Sequence, residues 1–361
     1  MRTLPGTPAA DGFAMPAEWA PHDGCFLVWP ENGYAWRHGA RPAQRALATL
    51  ANAIADTGEH VTVTTSAGQY PHARSTLDGR IRVVETGSWL GWARDVAPTF
   101  VLDATGRRRG VDFPYDGYGR RSPQWTVDDR YAGRVLDLTG TDRYRAPLVV
   151  EGGGLHVDGE GTGLVTAESL LDPRRNPGIR CAEAETALRD HLGVRTVLWL
   201  EHGLAYDGTG GHVDNMACFA APGVVLLAWT DDTTDPQYER SAAARERLGA
   251  ATDAAGRRLR VVPLPLPRPA YPTEEEAAGV DTVPGGRPPT HRLAASYVNF
   301  YLANGHVLAP LLDPETDDAA LAVLVRLFPD RTVVGLDTRE LLLGGGNIHC
   351  ATQQVPTARV A

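Results

Sequence analysis

Apolar positions in the second half of the chain fall into one recurring phrase. It has two short alternating runs around a turn, a stretch of helical spacing, and a further apolar run. The first copy joins Leu155–Val157 to Gly163–Thr166 across Gly159–Gly161, then predicts a helix over 182–192 and a strand over Thr196–Leu200. The second joins His212–Ala220 to Val224–Trp229 around Pro222-Gly223, followed by a helix over 236–249 and the strand Leu259–Leu264. In the third, Tyr297–Leu302 and Val307–Leu311 flank Asn304-Gly305, a strong hairpin signal. A helix over 316–327 and the strand Thr332–Leu336 complete it.

The first half is less regular. Cys25–Trp29 reads as a strand stopped at Pro30. Pro42–Thr57 reads as a helix with Ala46, Leu47, Leu50, Ala51 and Ile54 at helical spacing, ended by Gly58. Val61–Thr65 and Ile81–Glu85 are predicted strands, and Thr99–Asp103 with Val111–Phe113 a hairpin across Ala104–Arg109. This half accommodates two more copies of the phrase. Units that cannot bury their own faces must stack. Around a ring they form an α/β propeller whose equivalent positions converge on one axis; an open α/β sheet is the alternative. One domain over 1–361 is expected, with a Pro/Gly/Ala-rich loose arm over 1–15. The Pro/Gly/Glu-rich stretch over 266–290 reads as an exposed loop, a lid or a homo-oligomer contact.

Charge narrows the functional classes. The formal net charge is −9, and every basic residue is an arginine, which points to coding bias. Nucleic acid needs a concentrated basic face, so it is not an expected partner. An acidic balance favours a small cationic substrate. No apolar run approaches the roughly 18 residues a membrane span needs. The N-terminus lacks a basic region followed by an apolar stretch, so the cytoplasm is the expected location. The four cysteines form no CxxC pair, which argues against zinc ribbons and thioredoxin-like motifs. Cys25 and Cys218 read as strand-core residues.

Cys350 stands apart because of its neighbours, Gly344-Gly345-Gly346-Asn347-Ile348-His349-Cys350. Glycines let a backbone pass close to a ligand, and a cysteine is a potent nucleophile as thiolate. Related phrases occur at Glu151-Gly152-Gly153-Gly154-Leu155-His156 and Gly210-Gly211-His212-Val213-Asp214-Asn215. On the repeat reading, each copy supplies one part of a single site. His212 and Asp214, two apart, would share a face of a strand. Taken alone, Glu151 also suits a turn or cap, Asp95 beside Arg94 a surface ion pair, and His156 and His349 structural strand positions.

Four phrases together resemble the agmatine deiminase / bacterial-type peptidylarginine deiminase family of guanidino-modifying enzymes. They begin at Glu151-Gly152-Gly153-Gly154, Gly211-His212-Val213-Asp214-Asn215, Leu293-Ala294-Ala295-Ser296-Tyr297-Val298-Asn299 and Gly345-Gly346-Asn347-Ile348-His349-Cys350. The likeness runs from Met15 to Gln354. It implies a five-bladed ββαβ propeller (pentein) with pseudo-fivefold symmetry. It further implies Cys350 as nucleophile and His212 as general acid, then base. Asp95 and Asp214 would grip the guanidinium, and Glu151 would contact it or steady His212. Trp92, Gly345, Gly346 and Asn347 would line the substrate slot, and no metal or organic cofactor is implied.

These roles make physical sense. A guanidinium is planar with five N–H donors that carboxylates match. Its carbon is a poor electrophile until held against a thiolate. The expected reaction is hydrolysis of agmatine to N-carbamoylputrescine and ammonia through a covalent thiouronium, a step of putrescine biosynthesis. Rival readings are deimination of arginine, peptidyl-arginine or a specialised metabolite, an amidinotransferase, and a silent propeller acting as a binding module. The sequence departs from the family pattern at Leu90 and Gly91, at Gly208 and Gly210, and at Asp116 and Tyr118. These departures leave the substrate's distal group open.

Overall fold

A computed structural model describes residues 1–33, 35–122, 124–280 and 291–359. Among these residues the strands form five mixed sheets. Three of them repeat one plan. Leu155–Val157 and Thr162–Thr166 form an antiparallel hairpin, the helix Cys181–Leu192 crosses over, and Thr196–Leu200 returns parallel to the second strand. The same order builds the sheet of Ala217–Ala221, Val224–Trp229 and Arg260–Pro265 with helix Pro236–Ala250. It also builds the sheet of Tyr301–Ala303, His306–Leu311 and Thr332–Asp337 with helix Asp317–Leu327.

The remaining two sheets elaborate the plan. Thr99–Asp103 and Arg108–Asp112 form a hairpin, and Arg143–Arg145 joins it in parallel after helix Tyr131–Leu138. The last sheet unites both ends of the chain. Gln353–Pro356 pairs antiparallel with His22–Val28, which lies parallel to His60–Thr65, with helix Arg41–Ala55 between them. Arg82–Glu85 extends this sheet in parallel.

Each crossover helix buries one stripe against its sheet. Leu47, Leu50, Ala51 and Ile54 pack with Val61 and Val63; Ala320, Val323 and Leu324 pack with Val307 and Ala309. Burying a leucine or isoleucine fully contributes about 1.5–3 kcal/mol. No helix of the described residues is long and apolar enough to cross a membrane.

Three expectations need correction here. Residues 1–15 are not a loose arm. Phe13–Ala14 adds a strand beside Thr99–Asp103, Thr3 bridges to Arg143, and Arg2 donates to Asp142 at 2.7 Å. The paired main-chain groups and the buried Phe13 hold this segment down. The predicted strand His212–Ala220 begins only at Ala217; Val213–Asn215 is a 3-10 turn. The strand predicted from Tyr297 begins at Tyr301. In the loop read over 266–290, Glu274–Ala278 is a short helix capped by Thr273, and 281–290 lie outside the described residues.

Candidate active site

Every sheet contributes from the short segment just ahead of its first hairpin strand. Four of these segments are single helical turns: Ala93–Val96, Gly152–Gly154, Val213–Asn215 and Ile348–Ala351. The fifth is a turn closed by the Asn299 amide donating to the Ser296 carbonyl. They bring together Asp95, Glu151, His212, Asp214, Asn299 and Cys350, all buried.

Cys350 sits in the turn Ile348–Ala351. Asn347 caps it, its side chain accepting from the Ile348 amide at 3.0 Å. The sulfur lies 3.1 Å from Asn299 Nδ2 and 3.4 Å from Asp214 Oδ2. The Asn299 side-chain oxygen also accepts from the Cys350 amide. Gly345 turns the chain at φ 102°, a conformation that favours glycine. A Cβ on Gly346 would stand 2.9 Å from Cys350 Cβ and 3.0 Å from the Trp92 ring. Trp92, Gly346 and Cys350 therefore make one close-packed wall, backed by Trp36 at 5.1 Å between ring centroids.

Gly153 marks the middle of the site. A Cβ there would lie 2.7 Å from His212 Nδ1, 2.8 Å from Asp214 Oδ2 and 2.9 Å from Asp95 Oδ1. Only glycine leaves this point free while three titratable groups surround it. The Gly153 amide donates to Asp95 Oδ1 at 3.1 Å, so the same residue fixes one of them. His212 Nε2 meets Glu151 Oε2 at 3.4 Å, and its Nδ1 stands 3.7 Å from Asp95 Oδ1. His212 Nδ1 and Asp214 Oδ1 are buried without hydrogen-bond partners among the described residues.

Burial and charge set the protonation states. Burial would neutralise His212, but the carboxylates of Asp95 and Glu151 win and raise it to about 9. Burial pushes Glu151 up; Arg175, whose Nε donates at 2.9 and 3.0 Å, outweighs this and holds it at about 2. Asp95 is raised to about 6, chiefly by burial, with His212 opposing. Burial also raises Asp214, yet the bond and charge of His349 bring it below the ordinary carboxylate. Cys350 is pushed well above an ordinary thiol by burial and by Asp214 and Asp95. The resting site thus holds an imidazolium, ionised Glu151 and Asp214, and a protonated sulfur.

The positions of departure fall in several places. Tyr118 enters the site: its hydroxyl donates to Asp95 Oδ2 at 2.7 Å, and its ring lies 5.6 Å from that of His212. Asp116 caps the same loop by accepting from the Gly119 amide at 2.8 Å. A Cβ on Gly210 would meet the Arg121 guanidinium at 2.7 Å. Leu90 packs in the core, Gly91 lies against the Trp36 indole, and Gly208 is exposed.

Three residues of the site have no role in the sequence reading. Arg175 is one of many arginines, and only its burial against Glu151 distinguishes it. Asn299 is a lone amide in an otherwise apolar run. Glu18 lies far away in sequence and meets His349 at 2.9 Å. His349 is not a strand residue; it sits on the helical turn with Cys350, Nδ1 2.9 Å from Asp214 Oδ2. His156 is on a strand and stands 3.4 Å from Glu18.

The chain as a whole is similar to known proteins. The family model described as Porphyromonas-type peptidyl-arginine deiminase matches residues 14–356. An agmatine deiminase of Pseudomonas aeruginosa is 51% identical over 363 residues, covering 98% of each chain. One from Pseudomonas putida is 51% identical over 364 residues, covering 99% of each. The solved agmatine deiminase of Enterococcus faecalis superposes with a TM-score of 0.95 at 38% identity, covering 100% of both chains.

Proposed function

The chain belongs to the Porphyromonas-type peptidyl-arginine deiminase family, and from that premise we propose that it hydrolyses agmatine to N-carbamoylputrescine and ammonia in the cytoplasm. One observation carries the reading. An imidazolium and two carboxylates surround the point left open at Gly153, with the Cys350 thiol 3.4 Å from one of those carboxylates and Glu151 behind the imidazolium, in a chain about half identical to agmatine deiminases along its whole length. We also propose that the five ββαβ units form one domain and close around this point as the blades of a pentein propeller.

Asp95 and Asp214 accept N–H bonds from the bound guanidinium, whose charge offsets theirs. That offset removes part of what disfavours the Cys350 thiolate, so ionisation of the sulfur accompanies substrate binding. The sulfur attacks the guanidinium carbon, and His212 delivers a proton to the departing nitrogen. The thiol proton has left to solvent on ionisation, the carbon–nitrogen bond breaks, the nitrogen departs as ammonia with the proton from His212, and a thiouronium remains on Cys350. His212, now neutral, takes a proton from water, the hydroxide adds to the carbon, and the carbon–sulfur bond breaks as the adduct's hydroxyl proton passes to the Cys350 sulfur, releasing the neutral ureido product and restoring the thiol. Glu151, fixed by Arg175, orients His212 throughout.

Arg121 favours a second reading, a guanidine with a different distal group. Its guanidinium lies against Gly210 and donates to the Tyr118 carbonyl at 2.6 Å, taking up space beside the site loops, while Asp172 at 3.3 Å balances its charge. Release of ammonia and ureido product from agmatine, arginine and a blocked arginyl peptide separates the two. Agmatine as the best substrate supports the first reading; an anionic or uncharged distal group preferred by tenfold overturns it. Product analysis with an added amine exposes an amidinotransferase.

A further inference from the structure

The His349 side chain is held between two carboxylates. Nδ1 lies 2.9 Å from Asp214 Oδ2; Nε2 lies 2.9 Å from Glu18 Oε1 and 3.1 Å from Oε2. Ionised carboxylates only accept hydrogen bonds, and a neutral imidazole has a single N–H. Two acceptors on opposite nitrogens therefore match the imidazolium, with both nitrogens donating. We propose that His349 is a positioning residue of the deimination reaction: a buried imidazolium that holds Asp214 ionised, through Oδ2, for the substrate guanidinium.

The surroundings are consistent with this charge state. Glu18, Asp214, Arg94, His156 and Cys350 are the titratable and charged groups around His349. Glu18 also meets Arg94 at 3.2 Å and His156 at 3.4 Å, so its charge is shared rather than spent on His349 alone. Burial, and after it Arg94, oppose protonation of His349, yet the two carboxylates win and His349 is raised above its ordinary value. Burial of Glu18 is likewise outweighed by His349 and Arg94, which hold it well below the ordinary range.

The arrangement has a consequence for binding. With Oδ2 engaged by His349, Asp214 Oδ1 stays buried without a hydrogen-bond partner among the described residues. An ionised oxygen left in that state is costly, and a guanidinium N–H relieves it. The sulfur of Cys350 lies 3.4 Å from the same Oδ2, so the imidazolium also offsets the carboxylate charge that the forming thiolate must face. His349 does this without touching the reacting atoms. The chain Glu18–His349–Asp214 ties the segment ahead of the His22–Val28 strand to two of the five site turns.

The inference rests on the guanidine-hydrolase reading, and its test separates the two. His349→Asn keeps a donor near Nδ1 but removes the charge; Glu18→Gln weakens the charge from behind and keeps a side chain of the same size against His349 and Arg94. Steady-state ammonia release from agmatine is followed across pH for each. In His349→Asn, kcat/KM falls by about 30-fold or more, KM rises more than kcat falls, and the acid limb of the kcat/KM profile moves to higher pH. The sign follows because Asp214, without the cation that kept it ionised, titrates upward and joins Asp95, which alone sets that limb in the unsubstituted enzyme. Glu18→Gln moves the same limb the same way by less. A uniform loss of activity with an unmoved acid limb in both variants, or unchanged KM in His349→Asn, overturns the role of His349. Absence of deimination by the unsubstituted enzyme instead overturns the reading of the site. If His349→Asn does not fold, Glu18→Gln decides alone.

Discussion

Adding one methyl at Gly153 tests the site more sharply than removing any catalytic group. Gly153 lies outside the left-handed region, so alanine imposes no backbone strain there. What it imposes is volume. The new Cβ would stand 2.7, 2.8 and 2.9 Å from His212 Nδ1, Asp214 Oδ2 and Asp95 Oδ1, whereas ordinary contact begins near 3.4 Å. Each group must retreat by about 0.5–0.7 Å. Overpacking of this kind costs about 1–3 kcal/mol of stability, an amount a chain of this size can absorb. Catalysis suffers more, since a misplacement of about 1 Å costs about 100-fold in rate, and three groups move at once. We expect Gly153→Ala to fold and to lose at least about 100-fold in kcat/KM for agmatine. Gly249→Ala is the control. Gly249 lies in helix Pro236–Ala250 with nothing among the described residues within 4 Å of a Cβ. Alanine there should stabilise by about 0.5–1 kcal/mol and leave kinetics unchanged. Ammonia release and thermal melts read both variants. A Gly153→Ala enzyme within twofold of the unsubstituted one would refute the claim that the guanidinium is gripped around this point.

Other expectations follow from the same geometry. Cys350→Ala should abolish turnover while Cys218→Ala keeps it, and equal activity in both would remove Cys350 as the nucleophile. Asp214→Asn should lose about 30- to 5,000-fold in kcat/KM, because it removes a paired, desolvated charge contributing roughly 2–5 kcal/mol; near-normal kinetics would exclude a gripping role. Asp95→Asn should raise the melting temperature at neutral pH while lowering activity. The carboxyl is raised from 3.8 to about 6, so its ionised form costs up to about 3 kcal/mol in the fold; a lowered melting temperature would contradict this. The kcat/KM profile should be bell-shaped, limited by ionisation of Asp95 near 6 and loss of the His212 proton near 9. For stability the sign is that of a raised histidine. The contribution of His212 is complete below about 6.5 and disappears as pH rises through about 9, which pH-dependent melts detect.

The sequence makes the groups of the candidate site legible because the repeat and the glycines mark them. Cys350 follows three glycines, and Glu151 precedes three; the structure explains Gly153 and Gly346 as points where a Cβ would strike the site. The hairpin–helix–strand phrases are equally readable, since each buries a stripe of one period. The turns that carry the site are not. Val213–Asn215 and Ile348–Ala351 are single helical turns, too short to show a period, and their β-branched neighbours imitate strands. His212 and Asp214 therefore meet through a turn rather than on one face of a strand. The supporting partners are invisible for another reason. Glu18 and His349 are 331 positions apart, and Arg175 looks like any surface arginine until its burial against Glu151 is seen. The N-terminal segment misleads by composition: its prolines and glycines suggest looseness, while the pairing of Phe13 and Thr3 is set by a sheet edge far along the chain.

The central claim concerns a bond between Cys350 and the substrate carbon, so the mass of the protein during turnover is its most direct test. Enzyme mixed with agmatine and quenched in acid within one turnover should carry an adduct equal to agmatine less one ammonia, located on the peptide containing Cys350. Ammonia released with no such adduct at any quench time, or the same adduct formed in Cys350→Ala, would contradict it.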